Sequence, residues 1–298
     1  MVSIPYYPDF VPLKIEHKND FEKYYFARPI FISDHTFANY YIWKNIDKTQ
    51  LTIIGDFLCP LVVGPDKNEY FMMPLGIGEN SDEVLNICLS HSKAVIRADE
   101  QFISFLKEPE NFVIKEDRDQ FDYLYSSRDL IELKGRKYDA KRNHINYFVK
   151  NNDFKYEKMD KSHIDECLKL NEIWCKTKKT TITDEYPLIE CEANAVEIAL
   201  KNKDILGLKG GVIISNSKIV GFSLGEKLTS NTAVVHIEKS DPLIRGAAQI
   251  INREFLKNSF PDCEYVNREQ DMGHLGLRKA KMSYHPAKLI RKYNIFKK

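Results

Sequence analysis

The chain has 298 residues, of which 43% are hydrophobic and 29% are charged. This balance allows a sizeable core and excludes disordered and collagen-like chains, and the length suits one large domain or two. The 44 basic and 43 acidic residues leave a formal net charge of +1, which excludes a wholly polyanion-binding surface but not a local basic patch.

Hydrophobic periodicity divides the N-terminal half into a regular succession of elements. It predicts a strand near Leu13 to Ile15, then two helices, three strands, a helix, a strand, a helix and a strand. The bounds after the first strand are Asp20–Phe26, Ser33–Trp43, Leu51–Ile54, Pro60–Val63, Glu69–Met73, Ser81–Ser92, Ala94–Arg97, Asp99–Lys107 and Phe112–Ile114.

The middle of the chain reads as a packed connector and not as a flexible linker. It is not rich in Ser, Gly or Pro, and it carries a run of aromatic residues between Phe121 and Tyr125. Asp129 begins a short helical run that Gly135 breaks. A second helix then runs from Lys137 to Asn151, with apolar residues on one stripe.

The C-terminal half carries the clearest pattern. A strand near Phe154 to Met159 precedes two amphipathic helices, three consecutive strands, a helix, a strand, a short helix and a last strand. The bounds after the first strand are Ile164–Lys178, Leu188–Lys201, Gly211–Ser215, Ile219–Leu228, Ala233–Glu238, Pro242–Asn258, Glu264–Asn267, Leu275–Met282 and Leu289–Phe296. The order is βααβββαβαβ, which the N-terminal half repeats.

Two copies of one element order indicate an internal duplication, although any α/β chain can be divided to give such a match. Three antiparallel strands followed by a helix and crossover strands resemble the GNAT-type acyltransferases. We predict an α/β (α+β) fold class with two tandem GNAT-like domains, each a mixed, mostly antiparallel sheet flanked by helices. The predicted division is 1–116 for the first domain, 117–152 for the connector with its basic helix, and 153–298 for the domain with the candidate active site.

The sequence shows neither a membrane-spanning stretch nor a secretory signal. Its apolar runs, such as Phe57 to Gly64, are far shorter than the roughly 20 residues that cross a bilayer. The six cysteines form no CxxC pair, which is typical of reduced thiols. We therefore expect a cytoplasmic protein without a membrane span.

Basic residues concentrate in two stretches of this nearly neutral chain. Between Lys134 and Lys150 there is one acid, Asp139, and no acid follows Asp271. Such segregation favours a phosphate-bearing ligand, either an RNA end or coenzyme A, although a solvated helix face explains the first stretch equally well. We expect five cations to converge on one side of the second domain's cleft: Lys141, Arg142, Arg278, Lys279 and Lys281.

Three ordered blocks of sequence carry a more specific signal. They comprise Asp119–Tyr125, Asp129–Leu130, Leu133–Lys137 and Lys141–Phe148; His236–Lys239 and Ile251–Asn252; and Tyr265–Gly273, Gly276–Lys281 and Ser283–Pro286. Together they resemble the phosphatidylglycerol lysyltransferase C-terminal-domain family over nearly the whole chain.

This resemblance implies two tandem GNAT-type domains with the chemistry in the second. Members of the family transfer an aminoacyl group from aminoacyl-tRNA to a lipid hydroxyl, and the similar Fem-type transferases transfer one to a cell-wall precursor amine. We expect no multi-span membrane region like that attached to the lipid-modifying members. A small-molecule or precursor acceptor is therefore the expected one.

Two familiar patterns occur without the context that their chemistry needs. Gly221–Gly225 matches the GxSxG nucleophile elbow, but a strand signal and not a helix follows it, so we do not expect a hydrolase. The histidines form no HExxH and no Cys/His cluster, so we expect no metal.

Asp241 and Pro242 predict a helix start whose free N–H groups favour an anion. Residues 241–248 do not match the Q/R-x-x-G-x-G/A loop of acetyl-CoA enzymes. On this predicted helix Arg245, Gln249 and Asn252 form a polar stripe, which is either a ligand-facing surface or a solvated face.

The candidate catalytic residues follow two neighbouring strands, where ligands of such sheets collect. We expect Glu238, or Asp271 as second choice, to take the acceptor's proton, and Arg268 or a backbone N–H to stabilise the oxyanion. A structural ion network explains Glu238 equally well. The expected donor-binding residues are Lys141, Arg142, Asn146, Arg245, Gln249, Asn252, Asn267, Arg278, Lys279, Lys281 and Tyr284.

The sequence thus predicts an acyltransferase that needs no cofactor besides its acyl donor, which is aminoacyl-tRNA or acyl-CoA. An amine or hydroxyl acceptor attacks directly, because an aminoacyl ester is already activated. Two alternatives stay open: an acyl-CoA-dependent N-acyltransferase, and a non-catalytic module that binds a phosphate ligand or an RNA end. The expected partners are the tRNA acceptor end or coenzyme A, with the oligomeric state unspecified.

Overall fold

The computed structural model describes residues 3–181 and 186–298. In chain order its first elements are β1 (Val11–Pro12), α1 (Lys18–Tyr25), α2 (Phe37–Asp47), β2 (Gln50–Ile54), β3 (Phe57–Val63), β4 (Glu69–Met72), α3 (Ser81–His91), β5 (Val95–Ala98), α4 (Glu100–Ser104) and β6 (Phe112–Glu116). The connector holds β7 (Asp122–Ser126), α5 (Ser127–Glu132) and α6 (Asp139–Asn151).

The second series of elements repeats the first. It contains β8 (Phe154–Lys158), α7 (Ile164–Thr181), α8 (Tyr186–Leu206), β9 (Lys209–Ser215), β10 (Lys218–Lys227), β11 (Thr232–Ser240), α9 (Ala247–Ser259), β12 (Tyr265–Asn267), α10 (Leu275–Met282), β13 (Lys288–Ile290) and β14 (Tyr293–Lys297). Both series begin with the order βααβββαβαβ. The predicted tandem GNAT-like architecture is therefore confirmed.

The chain forms two compact units. The first comprises the residues up to Asp122, together with Glu269–Arg278 and Leu289–Lys298; the second comprises Tyr123–Arg268 and Lys279–Lys288. The first sheet has the order β1-β2-β3-β4-β5-β14-β6, and the second has the order β13-β7-β12-β11-β10-β9-β8. In each sheet a parallel pair, β4 with β5 or β11 with β12, follows a run of antiparallel strands.

The division into units differs from the predicted domains. Strand β14, expected in the second domain, pairs with β5 and β6 in the first sheet. Strand β7, expected only as packed connector, pairs with β12 in the second sheet. An alternating pattern predicts a half-buried strand but not the edge with which it pairs, so these long-range pairings could not be read from the sequence.

Helices cover both faces of the second sheet. Helix α9 packs against β9, β10 and β11, and α7 packs against β10 and β11. Successive strand residues point to opposite faces: Glu238 of β11 hydrogen-bonds Asn252 of α9, whereas the next residue, Lys239, lies over the ring of Trp174 in α7. Glu238 is therefore a residue of the α9 face.

The GxSxG segment lies inside strand β10 and not at a nucleophile elbow. The Ser223 hydroxyl is buried and donates a hydrogen bond of 2.8 Å to the Ile237 carbonyl. Gly225 lies beside a β-bulge in β11, where an added Cβ would approach the Val234 carbonyl oxygen to 2.2 Å. Gly225 therefore permits close packing of the two strands, and the Ser223 hydroxyl stabilises their pairing by its hydrogen bond to β11.

Helix α9 begins later than predicted. Asp241 accepts a hydrogen bond from the backbone N–H of Leu243 in a turn, and the helix starts at Ala247 after Gly246. Gly246 has φ +92°, and an added Cβ would lie 2.3 Å from the His144 carbonyl oxygen. Close packing against α6 thus overrides the local start signal of Asp241 and Pro242.

Candidate functional site

The second sheet opens where β11 and β12 separate. Val234 pairs with Asn267, the last residue of β12, whereas β11 continues to Ser240. The residues of β11 beyond Val234 therefore have no partner in β12. Glu238 lies on this stretch, and Arg268 directly follows β12, so the opening brings a carboxylate and a guanidinium to one place.

Glu238 is held by two side chains from different elements. Arg268 Nη2 donates to Glu238 Oε1 at 2.9 Å, and Asn252 Nδ2 of α9 donates to Glu238 Oε2 at 2.8 Å. The Glu238 and Arg268 side chains are 17% and 15% exposed, so the pair is largely but not completely removed from solvent. A carboxylate has about four acceptor positions, so Glu238 can accept further hydrogen bonds from a ligand.

Tyr284 lies beside this pair and brings a second cation to it. The Arg268 guanidinium carbon is 5.0 Å from the centroid of the Tyr284 ring, and Lys141 Nζ of α6 is 4.0 Å from the same centroid. Gln249 of α9 hydrogen-bonds the Tyr284 phenol. Strand, helix and loop residues distant in sequence thus meet on one aromatic side chain.

The charges of this cluster do not balance. Arg268 and Lys141 are both positive, and Glu238 pairs with Arg268. Within residues 3–181 and 186–298, no carboxylate lies within ion-pair distance of Lys141. Burial and the neighbouring Arg268 both lower the pKa of Lys141. Lys141 therefore adds a positive charge beside Arg268 that no carboxylate of the described ranges neutralises by direct pairing.

The environment also determines the protonation of the other groups. Burial disfavours the charged form of Arg268, but Glu238, Tyr125 and Tyr284 together outweigh it, and the pKa of the guanidinium is raised. Burial raises the pKa of Tyr284 to about 12, although Arg268 acts in the opposite direction. Tyr284 is therefore a protonated phenol at neutral pH and keeps its hydroxyl as a donor.

Six other predicted site residues gather around Glu238: Arg268, Asn252, Gln249, Tyr284, Lys141 and Lys281. Lys281 Nζ donates to the Arg268 carbonyl oxygen and so fixes the backbone at the end of β12. Asn267, also predicted, is fully buried at that strand end. Asn252 Oδ1 has no hydrogen-bond partner in the described part of the chain, although Asn252 is buried.

Asp271 and Arg278 were predicted in the cleft of the second domain, but the structure groups them with the first unit. Arg278 donates from Nε and Nη2 to the two oxygens of Asp271 at 2.9 Å, and from Nη2 to Asp119 at 2.7 Å. A fully buried carboxylate held in this bidentate way suits a structural ion network and not a proton acceptor.

The remaining predicted donor-binding residues lie outside the Glu238 cluster. Arg142 donates to the carbonyl oxygens of Leu133 and Gly135 and thereby fixes the turn before α6. Lys279 is exposed on α10. Asn146 and Arg245 are exposed on α6 and on the turn before α9. Of the four cations expected to converge in this unit, Lys141 and Lys281 contact Tyr284 and the Arg268 carbonyl. The convergence of Arg142 and Lys279 with them stays a prediction.

Comparison with known proteins places the chain in a family. The chain matches the family described as "Phosphatidylglycerol lysyltransferase, C-terminal" over residues 28–296. The chain belongs to this family. Its membership, with the tandem GNAT-like fold, makes the protein one of a transferase and acyltransferase family and confirms the resemblance in sequence.

Individual proteins resemble the chain in sequence or in fold. A conserved protein of unknown function from Bacteroides thetaiotaomicron is 33% identical, with a TM-score of 0.87 over 97% of this chain and 99% of that one. L-PGS from Bacillus licheniformis shares the fold at 13% identity, with a TM-score of 0.63 over 99% of this chain and 94% of that one. An uncharacterised protein of Mycoplasmoides gallisepticum is 30% identical over 174 residues, which span 58% of this chain and 54% of that relative.

Tyr125 is a residue of the family's first sequence block that was not predicted as a site residue. Its ring centroid is 5.8 Å from the Arg268 guanidinium carbon, and its hydroxyl donates to the Lys281 carbonyl at 2.9 Å. Tyr123 and Tyr125 stack with a centroid distance of 6.5 Å, because alternate residues of β7 share a face. This alternation was the signal in the sequence that could have placed Tyr125 at the site.

Two further features concern membrane-spanning helices and metal binding. None of the helices in the described ranges combines the length and apolarity that crossing a bilayer requires. In the same ranges, no group of three His, Cys, Asp or Glu side chains is arranged to hold a metal ion.

Proposed function

We propose that the chain transfers an aminoacyl group from aminoacyl-tRNA to an amine or hydroxyl acceptor at the Glu238 cluster of the second unit. Membership of the family supports acyl transfer. The observation that carries the proposal is the clamped Glu238, held by Arg268 and Asn252 at the opening between β11 and β12. Such an opening is where a sheet of this kind binds its ligand.

In the proposed reaction the acceptor nitrogen or oxygen attacks the carbonyl carbon of the aminoacyl ester. A bond forms between the acceptor atom and that carbon, and the bond between the carbon and the ribose oxygen breaks. Glu238 takes the proton that the acceptor loses and returns it to the departing ribose oxygen. Proton transfer is then balanced without a further reactant.

Arg268 and Tyr284 supply the positive potential and the donor that the developing oxyanion needs. The guanidinium is permanently charged, and the raised pKa of Tyr284 keeps its hydroxyl protonated. Donors already fixed by packing stabilise a transition state without reorganising. Asn252 Oδ1, buried without a partner among the described residues, provides an acceptor for an ammonium group of the substrate.

The surroundings of α9 favour an RNA donor over coenzyme A. A helix N-terminus holds a pyrophosphate through its free N–H groups, but Gly246, at the start of α9, is packed directly on the His144 carbonyl of α6. Lys141, which lacks a carboxylate partner in the described ranges, offers its charge beside Arg268. This cation favours an anionic donor that does not depend on the helix start.

The test is transfer of a radiolabelled amino acid from charged tRNA to a panel of amines and alcohols, with acetyl-CoA as a second donor. Glu238→Gln keeps the shape of the side chain and removes its basicity, so we expect transfer to fall about 10²-fold. Glu264→Gln, an exposed glutamate of the same unit, is the matched control. Equal transfer by wild type and Glu238→Gln would remove Glu238 from the mechanism, and transfer from acetyl-CoA alone would overturn the donor.

A further inference from the structure

The outward face of α6 carries an acid-free set of polar and aromatic side chains. Asn143, Asn146, Tyr147 and Lys150 are all exposed, and their spacing of i, i+3, i+4 and i+7 places them on one side of the helix. Helix α6 has one acid, Asp139, whose carboxylate binds Arg142. This side of α6 therefore presents positive charge and amides without a neutralising carboxylate of its own.

Arg245 adds a guanidinium to the same surface. Its central carbon lies 4.4 Å from the centroid of the Tyr147 ring, which is 44% exposed. The close contact of Gly246 with the His144 carbonyl holds the turn that carries Arg245 against α6. In the part of the chain that the structure describes, Arg245 has no carboxylate partner. Backbone packing and the contact with the Tyr147 ring therefore position this cation, and its charge stays available.

We propose that this surface, the Tyr147 face, binds an unpaired RNA end with a nucleobase stacked on the Arg245–Tyr147 pair. The Tyr147 face comprises Asn143, Asn146, Tyr147, Lys150 and Arg245. Aromatic rings and guanidinium planes stack bases of any sequence, and exposed amides pair with base edges. Lys150 lies on the same side of α6 and suits a phosphate. The inference rests on the proposed function, in which the RNA is the unpaired 3′ end of the donor.

Binding of uncharged RNA tests this surface separately from transfer. The probe is a fluorescent single-stranded heptaribonucleotide ending in CCA, titrated with the full chain at several salt concentrations. We expect Tyr147→Ala to weaken binding about tenfold, because one stacking platform is lost, and Tyr147→Phe to bind within about twofold of wild type. Lys150→Ala should lower the slope of log affinity against log salt by roughly 0.7, the value for one phosphate contact on a single strand.

The matched control is Arg128→Ala, which removes an exposed arginine of the same unit that is paired with Glu132. Unchanged RNA binding by Tyr147→Ala, or an equal loss in Arg128→Ala, would overturn the inference. So would preference for duplex RNA, or a Tyr147-dependent attachment to phosphatidylglycerol vesicles without RNA binding. If RNA binding depends on Tyr147 but no amino acid is transferred, the proposed function fails and the Tyr147 face stands; transfer with Tyr147-independent binding gives the reverse result.

Discussion

The two units place an arginine at the same position of equivalent strand pairs. Arg97 directly follows the last residue of β5 that pairs with β4, and Arg268 directly follows the last residue of β12 that pairs with β11. Both arginines bind a carboxylate. The surroundings of Arg97 and of Arg268 differ in whether the neighbouring lysine is also paired with an acid.

In the first unit Arg97 and the neighbouring Lys292 are both paired with acids. Arg97 donates to Asp34 at 3.2 Å and to Asp117 at 3.3 Å, and the fully buried Lys292 pairs with Asp34 and with Asp122. Burial would raise the pKa of Asp34, but Lys292 and Arg97 outweigh it and hold this pKa well below its usual range. The charges here are used to hold the fold together.

In the second unit the equivalent arginine is paired, but its neighbour Lys141 is not, within the described ranges. Removing a cation from water without a partner costs free energy that folding does not recover. A cluster that tolerates such a cost is a candidate for ligand binding. The comparison therefore favours a structural role for the surroundings of Arg97 and supports the proposed ligand binding beside Arg268.

The largest effect on stability is expected from Lys292→Met. Methionine fills a similar volume but leaves Asp34 and Asp122 buried without their shared cation, so the free energy of unfolding should fall by about 3–5 kcal/mol. Urea unfolding followed by circular dichroism measures it. Lys297→Met, at an exposed position of β14, which begins directly after Lys292, should change little. A loss below about 1 kcal/mol in Lys292→Met would show that the network around Lys292 is not structural.

A smaller effect of a different kind is expected from Lys141→Met. Because the folded-state pKa of Lys141 is lowered, the folded chain loses this proton before the unfolded chain as pH rises. The stability of wild type should therefore rise relative to Lys141→Met between neutral pH and the ordinary lysine pKa of about 10.4, by at most about 1 kcal/mol. The measurement is the difference in unfolding free energy across that range, with Lys218→Met as an exposed control; a flat or falling difference would contradict the unmatched charge.

Much of this fold could be predicted from local pattern, and the failures have physical causes. The repeated order, α10 and the three consecutive strands follow from periodicity. The place of β14 in the first sheet could not be predicted from local pattern, because its partner strands β5 and β6 lie far upstream in the sequence. The acids that pair with Lys292, directly before β14, are equally distant. The same limit explains Arg278, whose segment lacks acids but whose partner Asp119 lies in an earlier block.

Part of the site could also be predicted from local sequence pattern. Glu238 and Arg268 stand out because each follows or ends a strand, and Gln249 and Asn252 stand out as neutral polar residues on a helix. The offset of α9 from Pro242 to Ala247 separated Arg245 from that stripe, since close packing on α6 decides where the helix begins. Tyr125 was not predicted as a site residue, because its strand β7 lies in the connector and joins a sheet that is formed largely by later residues.

The most direct test of the difference between the surroundings of Arg97 and of Arg268 is a titration of the isotope-labelled chain with a CCA trinucleotide. The trinucleotide carries an amino acid through a 3′ amide, which resembles the aminoacyl-tRNA end but cannot transfer its amino acid. We predict saturable shifts of the NMR signals of Arg268, Asn252 and Tyr284, with the signals of Arg97 and Lys292 unchanged. Shifts centred on Arg97 and Lys292, or equal shifts around Arg97 and around Arg268, would contradict the proposed ligand binding in the second unit.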